Sequence, residues 1–183
     1  TAELESKTRE LEIEASLERV RTVAMGMKTP NDLMGICKQL YTELRLLGFD
    51  ECRNTMIHTF FDDRNYFLNY DYSDATGESL SNIPYSGNQL IEKFIKEIRK
   101  EKDSFSEIVI SGKELKDWKA FRIANKEYDD PRLNHIKSLH YYNYSVGESG
   151  IGISTYRAIT AEKLYVKKKK KNTFDLAYKK YVD

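Results

Sequence analysis

Three histidines, His58, His135 and His140, are the residues of this sequence best suited to metal binding or proton transfer. A metal site needs two or three such ligands that converge with a carboxylate. His58 and His140 fall on predicted strands that would have to be neighbours, and ordinary positions in a sheet explain them better. Cys37 and Cys52 have no close His or Cys partner, which predicts reduced thiols, with neither a zinc site nor a disulfide framework.

Motifs typical of enzymes are missing from the sequence or have simpler explanations. The GESGIG motif at 147–152 joins two predicted strands, whereas a phosphate-binding loop leads into a helix, so a hairpin turn is favoured. No serine, cysteine or carboxylate has a partner at a catalytic spacing, and no ATP-site motif is present. We therefore expect neither catalysis nor kinase activity from this chain.

Five consecutive lysines, Lys167 to Lys171, form the most basic run of the chain. Such a run is typical of segments that bind nucleic acid or acidic lipid. It lies within a predicted helix, however, where lysines take some positions of the stripe that contains Leu164 and Phe174. The favoured interpretation is a solvated, partly frayed part of that helix.

The thirteen tyrosines are many for a chain of this length. Tyr70 and Tyr72 share one face of a predicted strand, and Tyr142 and Tyr144 share a face of another. Such faces can line a pocket that stacks on a planar ligand and offers phenolic hydrogen bonds. Tyrosine is also a common strand residue, so the pattern alone favours a purely structural role.

Hydrophobic periodicity predicts the elements that would position these residues. Helices are predicted at residues 1–28, 31–47, 86–102, 113–128, 129–139 and 160–183. Strands are predicted at residues 51–61, 66–72, 80–84, 105–110, 140–146 and 151–156. Because strands and helices do not alternate regularly, the order favours an antiparallel α+β domain over a doubly wound parallel sheet.

Length and composition agree with a single folded domain that carries helical extensions. The chain has 183 residues, of which 40% are hydrophobic and 32% charged, with only 9 glycines and 3 prolines. The net charge of +1 gives no overall attraction to nucleic acid or to an anionic membrane. No apolar run approaches the length of about 18 residues that a membrane helix needs. We expect a cytoplasmic segment of a longer protein.

The first predicted helix carries a narrow apolar seam. Its members are spaced by four, three, four and three residues, and they are Ile13, Leu17, Val20, Ala24 and Met27. This heptad spacing is typical of a helix that pairs with a partner helix, which predicts a homodimer through these five side chains. The alternative is an amphipathic helix that packs on its own domain.

Four stretches of the sequence resemble one family. LERVRTVAMGM at 17–27 is similar to the opening helix of the GAF-like sensor modules of Bacteroidetes-type two-component histidine kinases, and FDLAYKKYVD at 174–183 is similar to their closing helix. LYTELRLLGF at 40–49 and the Ile83-Pro84 pair also match that family in position. The resemblance implies a five- or six-stranded antiparallel sheet with helices on both faces. It divides the chain into an N-terminal signalling helix (1–28), a sensor domain (29–160) and a C-terminal linker helix (161–183).

The resemblance also implies a function and a site. The chain would be a regulatory input module that relays a small molecule or a partner protein through dimeric flanking helices to adjacent sensor or kinase modules. A ligand would lie on the sheet face opposite the terminal helices, bounded by residues 90–98 or 115–123. The candidate ligand-binding residues are His58, Tyr70, Trp118, Tyr142 and Tyr144, and the sequence does not identify the ligand or a cofactor. The alternatives are a dimerisation spacer without a ligand and a nucleic-acid binder that uses the lysine run.

Overall fold

The computed structural model describes residues 1–125 and 130–182, with side chains as far as Thr173. In this part of the chain the α-helices are α1 (Ala2–Met25), α2 (Leu33–Leu46), α3 (Gln89–Ile98), α4 (Gly112–Ala124) and α5 (Ala161–Val182). The strands are β1 (Cys52–Phe61), β2 (Tyr66–Ser73), β3 (Gly77–Pro84), β4 (Phe105–Ser111), β5 (Ser138–Val146) and β6 (Ser149–Thr155). The six described strands form one sheet in the order β3-β2-β1-β6-β5-β4.

Every pair of neighbouring strands in the sheet is antiparallel, which confirms the predicted α+β class and the six-stranded alternative. Two local predictions were wrong. The segment before β5 forms only a 3₁₀ turn at Pro131–Asn134, since β5 already begins at Ser138. The strand before Pro84 begins at Gly77 and is longer than predicted. Residues 126–129 of the predicted helices, and the side chains of the FDLAYKKYVD motif, lie outside the described residues.

Helices cover both faces of the sheet, as predicted. Because successive strand residues point to opposite sides, β1 sends Ile57 into one core and Met56 into another. The first core lies under α1, α2 and α5, and the second lies under α3 and α4. The apolar stripe of α2, which includes Leu40 and Leu44, packs directly on β1 and β2.

The seam of α1 is buried within the single chain. Each of its five predicted interface residues keeps at most 8% of its surface exposed. They belong to the first core, and α1 contacts both α2 and α5. Heptad spacing shows that one side of a helix is apolar, but it does not show whether that side packs on a second copy or on helices of the same chain. Dimerisation stays a prediction, and a dimer through these side chains would require α1 to leave α2 and α5.

The lysine run of α5 is divided by the helical period. Lys167 and Lys170, three residues apart on one side of the helix, are 3% and 1% exposed, while Lys168 is exposed. The Lys170 ammonium donates to the Ser16 hydroxyl of α1, and Lys167 donates to the Tyr142 carbonyl. The expectation of a solvated helix segment was therefore wrong for these two residues. Their long stems fill space between α5, α1 and the sheet.

We expect Leu44→Ala to lower the free energy of unfolding by about 2–5 kcal/mol, because the change opens a cavity in the first core. Leu44 is 2% exposed. The matched control is Leu46→Ala in the same helix, where the side chain is 70% exposed and the expected effect is below about 0.5 kcal/mol. Urea unfolding followed by Trp118 fluorescence measures both. Equal effects at the two positions would contradict this packing of α2.

The stability should also depend on the protonation of Lys170. Burial lowers the pKa of this amine from 10.5 to about 8, so the folded protein releases the proton at lower pH than the unfolded chain does. The free energy of unfolding should therefore rise between pH 8 and 10.5. Lys170→Met should reduce that rise to the part that comes from Lys167, whose pKa burial also lowers, and should stabilise the fold below this range. Lys168→Met should do neither. Parallel stability–pH curves for wild type and Lys170→Met, from urea unfolding, would contradict the burial of this group.

Candidate functional site

A cavity lies between the sheet and the helices α3 and α4, on the face opposite α1 and α5. The volume of the cavity is about 50 Å³. With the open space at its mouth, the volume between its walls is about 530 Å³. One buried water needs a cavity volume of only about 10–15 Å³. The cavity therefore has room for several waters or for a small ligand. Its apolar walls are Met56, Phe67, Ile91, Phe94, Ile108 and Trp118.

The structure brings two of the five candidate ligand-binding residues to this cavity. His58 and Trp118 line it. Tyr70, Tyr142 and Tyr144 belong to the opposite face, where they pack in or against the first core. Strand alternation predicts which residues share a face but not which helices cover that face. Both segments named as boundaries, 90–98 and 115–123, contribute to the walls.

A β-bulge adds a residue that the sequence analysis did not name. The register of β1 against β6 shifts between Cys52 and Asn54, so Arg53 is an extra residue that has no opposite partner. As a result Arg53 lines the cavity, and the adjacent Asn54 donates to Asp71 on the same side. The sequence of β2 could have indicated two further cavity residues. Asn69 and Asp71 alternate with the tyrosines and so define a second face of that strand.

The charged groups at one end of the cavity form a closed network. Arg53 donates to Asp130 at 2.9 Å and to the Ser154 hydroxyl at 2.8 Å. Arg132 donates to the other oxygen of Asp130, also at 2.9 Å. Burial raises the pKa of Asp130, but the hydrogen bonds from the two arginines outweigh this effect and lower it to about 2. The network fastens the 3₁₀ turn Pro131–Asn134 onto β1.

Tyr141 links this network to α4. Its hydroxyl accepts a hydrogen bond from the indole nitrogen of Trp118 at 2.7 Å and one from Arg53 at 3.3 Å. The Trp118 and Tyr141 rings meet edge to face, with centroids 6.0 Å apart. The site thus uses the tyrosine that precedes the predicted Tyr142, because odd-numbered residues of β5 face the cavity.

Three buried polar atoms on side chains that line the cavity have no hydrogen-bond partner among the described residues. They are His58 Nδ1, Asn69 Oδ1 and Asn143 Oδ1. Buried polar atoms of native proteins are nearly always paired, with protein, water or a ligand. Three together make this cavity the candidate binding site among the described residues.

His58 sits in an aromatic surrounding. Its ring centroid lies 5.3 Å from that of Phe67, 5.4 Å from Phe94 and 5.7 Å from Phe60. Burial lowers the pKa of His58 to about 3, and the smaller effect of Asn69, its cross-strand neighbour, opposes this shift. Neither His58 Nδ1 nor Asn69 Oδ1 makes a hydrogen bond of normal geometry, so the two side chains are not bonded through these atoms. His58 is therefore neutral at physiological pH.

The unpartnered side chains of the site are neutral hydrogen-bonding groups. The described residues contain no group of three His, Cys, Asp or Glu side chains that could hold a metal ion. Both thiols are buried: Cys37 lies in the first core, and burial raises the pKa of Cys52 to about 12. Neither thiol is a nucleophile under ordinary conditions.

Comparison with known proteins does not assign this chain. No family model matches the sequence, and no curated protein matches it either. Among the described helices, none combines the length and the apolar character needed to cross a membrane. The function therefore has to be inferred from the geometry of the site and from the resemblance stated above.

Removing Asp130 should leave Arg53 as an unpaired charge, since the Arg53 side chain is only 3% exposed. We expect Asp130→Ala to lower the free energy of unfolding by about 3–5 kcal/mol. Asp117→Ala, at an exposed position of α4, is the control and should be nearly neutral. Adding Arg53→Met to Asp130→Ala removes the unpaired charge and should recover part of the loss in urea unfolding. A double variant no more stable than Asp130→Ala would refute the pairing.

Proposed function

We propose that this chain is a sensory input domain in which a small molecule bound in the cavity alters the packing of α1 and α5. The main support for this proposal is the cavity on the face of the sheet opposite the first and last helices, because polar side chains that line it have atoms without a partner among the described residues. A ligand can shift such a domain between two packings only if it binds one of them better. The strands shared by both faces supply a route for that difference.

Strand β5 offers the shortest route between the two faces. Asn143 lines the cavity, and the next residues on either side, Tyr142 and Tyr144, face α5. The Tyr142 carbonyl accepts a hydrogen bond from Lys167, and the Lys167 ammonium lies 4.7 Å from the centroid of the Tyr144 ring. A ligand that moves Asn143 therefore displaces the backbone group that holds α5.

The wider setting of this domain follows from the family resemblance. We infer a GAF-like module of a two-component sensor, cytoplasmic and homodimeric, that transmits to adjacent sensor or kinase modules of a longer chain. The fold supports this because the terminal helices lie side by side and contact each other. Helices placed in this way can pass a change in packing to whatever precedes and follows them.

The two other functions left open by the sequence have less support. A spacer without a ligand would fill its cavity with its own side chains, whereas this cavity keeps room for several waters. A nucleic-acid binder would present its lysines to solvent, whereas Lys167 and Lys170 are buried. Fewer exposed cations mean fewer phosphate contacts.

Spin labels on α1 and α5 test the proposed relay. Glu14→Cys and Lys168→Cys place labels at exposed positions, while the native thiols are buried and unreactive. A panel of nucleotides, tetrapyrroles and small metabolites is first screened for compounds that raise the melting temperature. We expect such compounds to shift the distance between the labels, measured by pulsed electron resonance.

The control for this experiment is Ile108→Trp, which places a larger side chain in the cavity wall and should abolish both effects. Ile108 is 4% exposed and lines the cavity. Compounds that stabilise the protein without changing the distance would refute signal transmission through α1 and α5. A panel without any stabilising compound would favour the spacer.

A further inference from the structure

We infer that the cavity takes a small, uncharged ligand with an amide-like edge, such as a primary amide, a lactam or a single-ring nitrogen heterocycle that carries an N–H beside a carbonyl. This inference deepens the proposed function, because it assumes that the cavity is a ligand site. It depends on three features of the site: charge, hydrogen-bonding groups and shape.

Every charged side chain that lines the cavity already has a partner. Arg53 is paired with Asp130 at 2.9 Å. Asp71 accepts two hydrogen bonds from the Asn54 amide, at 2.8 and 2.9 Å, and Arg122 also has an interaction of its own. An anionic ligand would compete with Asp130 for Arg53, a cationic ligand would compete with Asn54 for Asp71, and both are costly in a buried site. The charge balance therefore selects a neutral ligand.

The polar groups that are left are neutral and bifunctional. A carboxamide such as that of Asn69 or Asn143 has one acceptor oxygen and an NH₂ donor, and the neutral His58 imidazole has one donor and one acceptor nitrogen. Their unpartnered atoms, all on side chains at most 5% exposed, lack protein partners among the described residues. The unpartnered Asn69 oxygen is an acceptor and calls for an N–H donor, while an asparagine NH₂ group and the His58 ring can donate to a carbonyl. A ligand edge with an N–H beside a C=O matches both. Hydrocarbons would leave these groups unpaired.

A glycine gives Asn143 its position. A Cβ atom at Gly152 would lie 1.9 Å from the Asn143 amide oxygen, so the amide rests flat on β6 in the space that a side chain would take. The two residues are cross-strand neighbours. This arrangement places the oxygen against β6, so the NH₂ group is the edge of the Asn143 amide that a ligand can meet at the floor of the cavity. Alanine at 152 would force the amide out of that position.

The walls and the size complete the selection. Phe67, Phe94 and Trp118 present aromatic surfaces, which favour a flat apolar body. The enclosed volume of about 50 Å³ is below the roughly 150 Å³ of a closed cavity that takes a benzene ring, so the ligand is no larger than one ring and extends toward the open mouth. The ligand is thus a single flat ring or a short chain that ends in an amide-like group.

Three compounds of nearly the same shape separate the effect of charge. Benzamide is neutral, benzoate is an anion and benzamidine is a cation, and all carry one ring with a planar polar group. Titrations are followed by the NMR signals of the Trp118 indole and of the asparagine side-chain amides. We expect benzamide to shift these signals, and we expect benzoate and benzamidine to bind at least about tenfold more weakly because they lack a counter-charge.

Two substitutions and one control identify the groups that bind. Asn69→Leu and Asn143→Leu should each weaken benzamide binding by about tenfold, through the loss of one hydrogen bond. Gly152→Ala should act like Asn143→Leu, since it displaces the same amide. Asn82→Leu, at an exposed position of β3, should change nothing. Two-dimensional amide spectra verify that each variant is folded, and the selectivity of the wild type needs no variant at all.

Several outcomes would overturn the inference. These are benzoate or benzamidine binding as tightly as benzamide, benzamide binding that neither asparagine affects, and no binding of any of the three compounds. The proposed function fails separately. Benzamide that binds as expected but leaves the α1–α5 label distance unchanged supports the ligand class and refutes the relay. Other compounds that change that distance while benzamide does not bind support the relay and refute the ligand class.

Discussion

The alternation of side chains along β1 and β5 is the constraint on which the rest of the structure depends. It sends neighbouring residues to opposite sides of one sheet, so Met56 and Ile57 belong to different cores. The same alternation places Asn143 in the cavity and Tyr142 beside α5. The site and the terminal helices are thus one residue apart along the chain. A movement of either strand would shift side chains on both faces of the sheet.

Buried charge is handled differently on the two faces. Beside the cavity, Arg53 is matched by the carboxylate of Asp130. Under α5, Lys167 and Lys170 are buried with a carbonyl and a hydroxyl as hydrogen-bond acceptors. A hydroxyl or a carbonyl compensates an ammonium group less well than a carboxylate does. The charge of Arg53 is therefore better compensated than the two ammonium groups under α5.

This contrast agrees with a domain that binds on one side and responds on the other. Preorganised groups lower the cost of binding. A helix held at modest cost can change its packing when a ligand adds a small bias. In the proposed relay the buried seam of α1 takes part as well, because α5 covers part of it. Release of α5 would expose the side chains that a second copy could use.

The sequence by itself determined the α+β class, the order of most elements and the buried stripe of α2, because these follow from local periodicity. It also named His58 and Trp118 as candidate ligand-binding residues, and both line the cavity. Only the tertiary structure decided which face of each strand meets the cavity: Tyr141 lines it, and Tyr142 faces the first core. It likewise decided what covers the α1 seam, which lysines of α5 are buried and where the bulge turns Arg53 inward. Periodicity identifies a face of an element, but what packs on that face depends on residues distant in the chain.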